Sequence, residues 1–195
     1  NGVLQLGASE VIPHGAGEVV RIDFHPDASA SETATLDLNG FDETINSIRV
    51  SSSGAVFIDN TGSNNSTFTI GADSAAATYT NTNSGTLTFR DTGSGTLSLQ
   101  KTGTGTATFS GASVVLLHSG STGVDGGGTL NIGSTLAATT GLTATGTNSI
   151  LDIDGVITAP SGVTTVSVND GAKLDIQNGS GDAFTSVSNL SLANT

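Results

Sequence analysis

The sequence predicts an all-β chain folded as a single-domain parallel β-helix, or β-solenoid, and three observations predict it. Apolar residues recur in pairs spaced two apart, Gly- and Asn-rich turn clusters recur roughly every ten residues, and one central stretch is close to self-similar. An i, i+2 pair places both side chains on one face of a strand, so the paired face is the inner one.

Taken in order, Val3-Leu4-Gln5-Leu6 reads as a first strand, and residues 1–11 as an N-terminal strand or cap. The inward pairs are then Leu36 with Leu38, Phe68 with Ile70, Leu87 with Phe89, and Leu97 with Leu99, followed by Phe109. They continue with Val115 and Leu117, Leu130 and Ile132, Leu151 and Ile153, Val166 and Val168, Leu174 and Ile176, and Leu190 and Leu192. No stretch sustains helical spacing. The intervening turns include Asn39-Gly40, Thr92-Gly93-Ser94-Gly95, Gly126-Gly127-Gly128 and Asn169-Asp170-Gly171, where Gly and Asn supply left-handed conformations without strain.

A sandwich, a hairpin meander and a solenoid all use short, evenly spaced strands. The self-similar stretch favours the solenoid: Ser84-Gly85-Thr86-Leu87-Thr88-Phe89, Ser94-Gly95-Thr96-Leu97-Ser98-Leu99 and Thr104-Gly105-Thr106-Ala107-Thr108-Phe109 each supply one glycine turn and one strand. Strands this short bury little alone, but stacked in parallel columns they form a continuous core. Taking about 20 residues per coil and roughly 4.8 Å per rung, the expectation is about nine coils and a rod about 45 Å long.

Composition narrows the function classes. Thr, Ser and Gly fill 82 of 195 positions, while Leu, Ile, Val and Phe still supply about a quarter, above the level of disordered chains. With 7 Phe, 1 Tyr and no Trp or Met, the core is expected to be layered and aliphatic. The absence of Cys excludes disulfides, thiol nucleophiles and thiolate metal sites, and suits an exported protein that folds without oxidation. A net charge of −12 repels phosphate backbones and anionic lipid, so no nucleic-acid partner is expected. With no long apolar run and no basic leader after Asn1, neither a membrane span nor a signal peptide is expected, and the sequence reads as a mature or excised segment.

Several phrases resemble the autotransporter-associated β-strand repeat family of bacterial surface proteins. They are Ile12-Pro13-His14-Gly15-Ala16-Gly17, Leu36-Asp37-Leu38-Asn39-Gly40 with Thr44-Ile45 and Ile48, and Val56-Phe57-Ile58-Asp59-Asn60. Phe68-Thr69-Ile70-Gly71-Ala72 follows, then the run from Leu97 through Lys101, Gly103 and Gly105 to Phe109-Ser110-Gly111-Ala112. Residues 12–135 carry the match, and 136–195 read as degenerate repeats, with Gly128-Thr129-Leu130-Asn131-Ile132-Gly133 the clearest echo. The family's usual step after its glycine phrase is replaced by Ser113-Val114-Val115-Leu116-Leu117-His118-Ser119-Gly120. The resemblance implies a right-handed parallel β-helix exported to the cell exterior.

Candidate chemistry is sparse, and no catalytic, cofactor-binding or metal residues are assigned. Parallel β-helices that act on polysaccharides need clustered carboxylates with nearby cations, whereas Arg21, Arg49, Arg90, Lys101 and Lys173 are scattered. Asp152 and Asp154 project from one strand face and could share a Ca²⁺, against the plainer reading of a solvated acidic edge. Gly123-Val124-Asp125-Gly126-Gly127-Gly128 is similar to a glycine-rich Ca²⁺ nonapeptide but occurs once. His14, His25 and His118 are far apart and read as loop or surface residues. Asn-x-Ser/Thr at Asn64, Asn65, Asn178 and Asn189 is expected by chance in so Ser/Thr-rich a chain, and Gly103-x-Gly105 lacks the third glycine and following helix of a dinucleotide fingerprint. Thr67-x-Thr69, Thr86-x-Thr88, Thr104-x-Thr106-x-Thr108 and Thr143-x-Thr145 could form threonine rows of the ice-binding kind, but their spacing is too uneven for one array.

The expectation is therefore a non-enzymatic, cofactor-free structural protein of the bacterial exterior or cell surface. It would self-associate through its terminal coils into a fibre or form part of a longer stalk. The alternative is an adhesin or glycan-binding passenger module taking surface polysaccharide, for which few aromatic platforms are available.

Overall fold

The computed structural model describes residues 1–14, 21–26, 32–51, 53–71, 79–81, 84–136, 139–155, 163–177 and 189–193. In chain order the strands are β1 (Gly2–Gln5), β2 (Arg21–Phe24), β3 (Thr33–Asp37), β4 (Glu43–Ile45), β5 (Ser47–Val50) and β6 (Ala55–Asn60). Next come β7 (Ser66–Ile70), β8 (Tyr79–Asn81), β9 (Thr86–Asp91), β10 (Leu97–Lys101), β11 (Thr106–Leu116) and β12 (Ser121–Val124). The chain continues through β13 (Thr129–Leu136), β14 (Gly141–Thr145), β15 (Ile150–Ile153), β16 (Thr165–Asn169), β17 (Lys173–Ile176) and β18 (Asn189–Ala193). Every ladder is parallel, and no helix occurs among the described residues, so the chain is a β-solenoid.

The coil is three-sided. A first face stacks β1, β3, β6 and β9, a second stacks β4, β7, β10, β12, β14, β16 and β18, and a third begins with β2, β5 and β8. The third face resumes in the first half of β11, whose Thr106–Ser110 pairs with β13, and continues through β15 and β17. Residues Val114–Leu116 of β11 have by then turned onto the first face, where they pair with Leu87–Phe89 of β9. Two strands of the eight-stranded sheet, β11 and β13, thus bend around a corner and join two faces into one ladder.

The self-similar units over 84–109 are consecutive sides of one coil, falling on β9, β10 and the start of β11. Ten residues is the distance from face to face. Register partners lie from 20 residues apart (Ser121 and Gly141) to 32 apart (Gly2 and Ala34), so most coils are longer than the uniform 20 that implied nine coils. Among the described residues the longest column confined to one face is the seven-stranded second face.

The inner columns are continuous apolar ladders. On the first face Leu36, Ile58, Phe89 and Leu116 lie in register, and on the third Leu130, Leu151 and Leu174 do so. Leu36, Leu38, Phe68, Ile70, Leu87, Phe89, Leu97, Leu99, Phe109, Leu130, Ile132, Leu151 and Ile153 are buried, as the pair spacing requires. Phe89 stands 5.9 Å from Phe68 and 5.4 Å from Phe109, the latter edge to face, which links the three faces through the interior.

One pair is out of phase: Val114 and Leu116 are buried, whereas Leu117 is exposed and Val115 half-buried. The corner in β11 shifts the register by three residues between Ser110 and Val115, and an odd number of extra residues flips the face that each side chain takes. Toward the C-terminal end Val168, Leu174 and Ile176 are only partly buried and Leu192 is exposed; the side chain of Leu190 lies outside the described residues. Left-handed conformations occur at Asn39-Gly40, Gly126-Gly127 and Asp170-Gly171. Gly93 serves differently: a Cβ there would collide with the backbone of Thr61 and Gly62 in the coil beneath, so this glycine permits close stacking.

Candidate functional site

The corner between the first and second faces is held by side chains that reach across coils. Gln5, Asp37, Asp59 and Arg90 occupy one register column. Asp37 accepts hydrogen bonds from Gln5 Nε2 and Thr61 Oγ1, each at 2.7 Å, and from the Thr61 and Asn39 amides. Burial pushes the Asp37 carboxyl up, but these bonds together outweigh it and hold it below its ordinary value. Asp59 repeats the arrangement one coil on, taking Arg90 Nε at 2.7 Å and the Thr92 amide at 3.1 Å. Asp91 accepts from the Leu97 amide at 3.0 Å and from the Ser119 amide and hydroxyl. Asn60, fully buried, accepts from the Gly40 and Gly62 amides and donates to the carbonyls of Asn64 and Thr96. These acidic and amide groups are therefore engaged in joining coils.

All five basic residues are engaged too. Arg49 and Arg21 lie 3.3 and 3.7 Å from Asp23, Arg90 pairs with Asp59 and stacks 3.8 Å over the Phe57 ring, and Lys173 bonds Asp175. Lys101 is the exception in kind: it sits in an inner column between Ile70 and Val124, fully buried. Its ammonium donates to the carbonyls of Thr102 and Gly103, which explains the glycine phrase as a turn whose carbonyls wrap a lysine. Burial lowers the Lys101 pKa, opposed by the charge of Asp125, whose Oδ1 is buried without a hydrogen-bond partner. The segment 123–128 is thus a corner built around the Lys101 charge.

His118 is also inside, not on the surface or a loop edge as its isolation in sequence suggested. Its Nε2 lies 3.2 Å from Thr122 Oγ1, which donates at 3.3 Å to Thr139 Oγ1, and that hydroxyl bonds the Gly120 carbonyl at 2.7 Å. Burial drives its pKa down to about 4, so the ring is neutral at pH 7, and its Nδ1 has no hydrogen-bond partner. His25 is on the surface against Ser51 Oγ at 2.8 Å.

His14 is brought beside Glu10 and Glu43, a grouping invisible at their sequence spacing. The His14 Nδ1 lies 3.3 Å from Glu10 Oε2 and 3.1 Å from the Ile12 carbonyl, and the three ligand-type atoms lie within 4.8 Å of one another. Glu43 is fully buried, and its two oxygens accept the Val11 and Ile12 amides at 3.0 and 3.2 Å. Burial raises the Glu43 pKa; the two amides oppose the rise and the Glu10 charge adds to it.

The remaining candidates stay apart. Asp152 and Asp154 both receive the Asn131 amide, at 3.0 and 3.1 Å, so their shared face is real. Asn64 and Asn65 form the turn before β7, Asn65 accepting the Thr96 amide at 3.0 Å; Asn178 and the Asn189 side chain lie outside the described residues. The threonine pairs fall on different faces, Thr67-x-Thr69 and Thr143-x-Thr145 on the second, Thr86-x-Thr88 on the first and Thr104-x-Thr106-x-Thr108 on the third, so they form no single array.

Among the described residues, both ends of the solenoid carry open apolar surfaces. At one, β1 is an edge strand with Val3 and Leu4 67% and 57% exposed, and a cavity of about 340 Å³ opens between β1, β2 and β3 onto Ile22, Phe24 and Ala34. At the other, β18 is an edge with Leu192 71% exposed beside a cavity of about 280 Å³ lined by Val168, Ala172 and Ala193. No protein-family model matches the chain, and neither a curated protein nor a solved structure is significantly similar to it.

Proposed function

We propose that this chain is a non-enzymatic structural element of the bacterial cell exterior, a β-solenoid rod whose end coils are covered by another coil, assembling end to end as a fibre or within a longer surface stalk. The observation that carries this reading is the pair of open ends. Among the described residues each presents an unpaired strand edge and an apolar concavity, the arrangement that templates addition of a further strand. The sides support it by contrast, since Asp37, Asp59, Asp91, Arg49 and Arg90 are taken up by bonds from one coil to the next. The resemblance to autotransporter-associated repeats and the cysteine-free composition support the extracellular assignment.

Sedimentation velocity over a range of concentrations tests it. The wild-type chain is expected to form a growing series of oligomers, and Leu4→Asp or Leu192→Asp, each on one end, to stop the series at the dimer or below. A strictly monomeric wild-type chain would overturn the end-to-end reading.

A second reading, binding of surface glycan, is favoured by the outer side of the second face. Thr44, Thr69, Gln100, Gly123, Thr143, Ser167 and Ser191 form one register column without a charge, in a chain of net charge −12. Saturable binding to a neutral polysaccharide on an array, weakened by Gln100→Ala and Thr143→Ala, would support it, and an array without hits would reject it.

A further inference from the structure

We propose that Glu10, His14 and Glu43 form a site for one divalent cation of the zinc class, which clasps the first coil onto the second. The side chains come from two successive levels of the second face. The segment bearing Glu10 and His14 lies against β4, with the Glu10 amide donating to the Asp42 carbonyl at 3.0 Å and the Asp42 amide donating to Ser9 Oγ at 3.1 Å.

Charge supplies the reason for an ion. Two carboxylates approach each other here, one of them fully buried, and all five Lys and Arg side chains of the chain are committed elsewhere, to Asp23, Asp59, Asp175 and the carbonyls around Lys101. A buried carboxylate is neutralised by its own protonation or by a positive partner, and no Lys or Arg side chain is free to serve as that partner here.

Geometry and ligand chemistry favour the cation. Tetrahedral zinc with ligands at about 2.1 Å has edges of about 3.4 Å, and the Glu10 Oε2 to His14 Nδ1 separation is 3.3 Å. Each carboxylate is already oriented: Thr44 Oγ1 donates to Glu10 Oε1 at 2.9 Å, leaving Oε2 toward His14, and the Val11 and Ile12 amides hold both oxygens of Glu43, each with a lone pair to spare. Glu10 itself is held at φ +54°. An imidazole with two carboxylates suits zinc over calcium, which takes six to eight oxygens, or magnesium, which keeps its waters. With His14 and Glu10 29% and 42% exposed, an ion can enter and a water can complete the set. Binding through Nδ1 requires the tautomer with the ring proton on Nε2, so the contact with the Ile12 carbonyl is given up in favour of the ion.

The test is isothermal titration of the chelator-washed full chain with Zn²⁺, Ca²⁺ and Mg²⁺ separately, followed by thermal unfolding with each ion. The expected result is one saturable Zn²⁺ per chain and a raised Tm, binding being weakened more than tenfold in both His14→Ala and Glu10→Gln. Both residues are partly exposed, so these variants keep the fold, which far-UV circular dichroism checks. No saturable zinc uptake, uptake unaffected by both substitutions, or equally tight Ca²⁺ binding would overturn the assignment and leave a plain contact between His14 and Glu10.

Discussion

Replacing Phe89 with Ala should be the most damaging single truncation in the core. The ring is fully buried, lies in register between Ile58 and Leu116, and touches Phe68 at 5.9 Å and Phe109 at 5.4 Å, so it is the interior link between all three faces. Burying a phenylalanine and losing it to a cavity costs about 3–5 kcal/mol, and two aromatic contacts worth about 1 kcal/mol each place Phe89→Ala at the upper end of that range. The loss is also directional. In a solenoid each coil is stabilised by its neighbours, so a cavity at one rung weakens coupling between the coils on either side. Urea unfolding followed by circular dichroism should show a lower midpoint and a broadened or split transition, while Thr108→Ala, at an exposed position two strands on, should shift stability by less than about 0.5 kcal/mol. A cost below about 1 kcal/mol for Phe89→Ala, or an equal cost for Thr108→Ala, would refute the inside-outside assignment.

Three further outcomes are expected. His118 titrates near 6.5 when unfolded and at about 4 when folded, so the unfolded chain binds the extra proton between those values; stability should fall by on the order of 3 kcal/mol as pH drops from about 6.5 to about 4. The difference in urea midpoint between wild type and His118→Gln across that window isolates this contribution from Asp37, whose lowered pKa adds acid sensitivity at lower pH, and from Glu43, whose raised pKa acts in the opposite sense. Asp59→Ala strands the Thr92 amide and Arg90, and should cost about 1–3 kcal/mol by chemical denaturation, with Thr92 gaining amide exchange. Because the chain has no cysteine, Thr143→Cys with Ser167→Cys, one rung apart at about 4.8 Å, should form a disulfide on mild oxidation, whereas Gln100→Cys with Thr143→Cys, two rungs apart, should not, as read by gel mobility.

The strand rhythm was legible because one periodicity, two residues, sets both burial and pairing. Leu87 and Phe89, or Leu151 and Ile153, need no tertiary knowledge to be placed inside. What local pattern hides is where the chain turns: the corner in β11 inverts the phase at Val115 and Leu117, and the ten-residue repeat of 84–109 marks sides of a coil as easily as whole coils. Polar groups in the interior were equally hidden. Lys101 and His118 look solvent-bound in sequence, and only the stacked carbonyls of the glycine turn and the hydroxyls of Thr122 and Thr139 make their burial tolerable. The grouping of Glu10 and His14 with Glu43 depends on one coil closing over another, so the separation of these residues along the chain carries no signal of it.

The reading of the chain as a rod that assembles through its ends is tested most directly by small-angle X-ray scattering across a concentration series. End-to-end assembly predicts that the cross-sectional radius of gyration stays constant while the particle length grows. A cross-section that increases with concentration would mean side-by-side packing, and a length fixed at one chain throughout would contradict assembly through the ends.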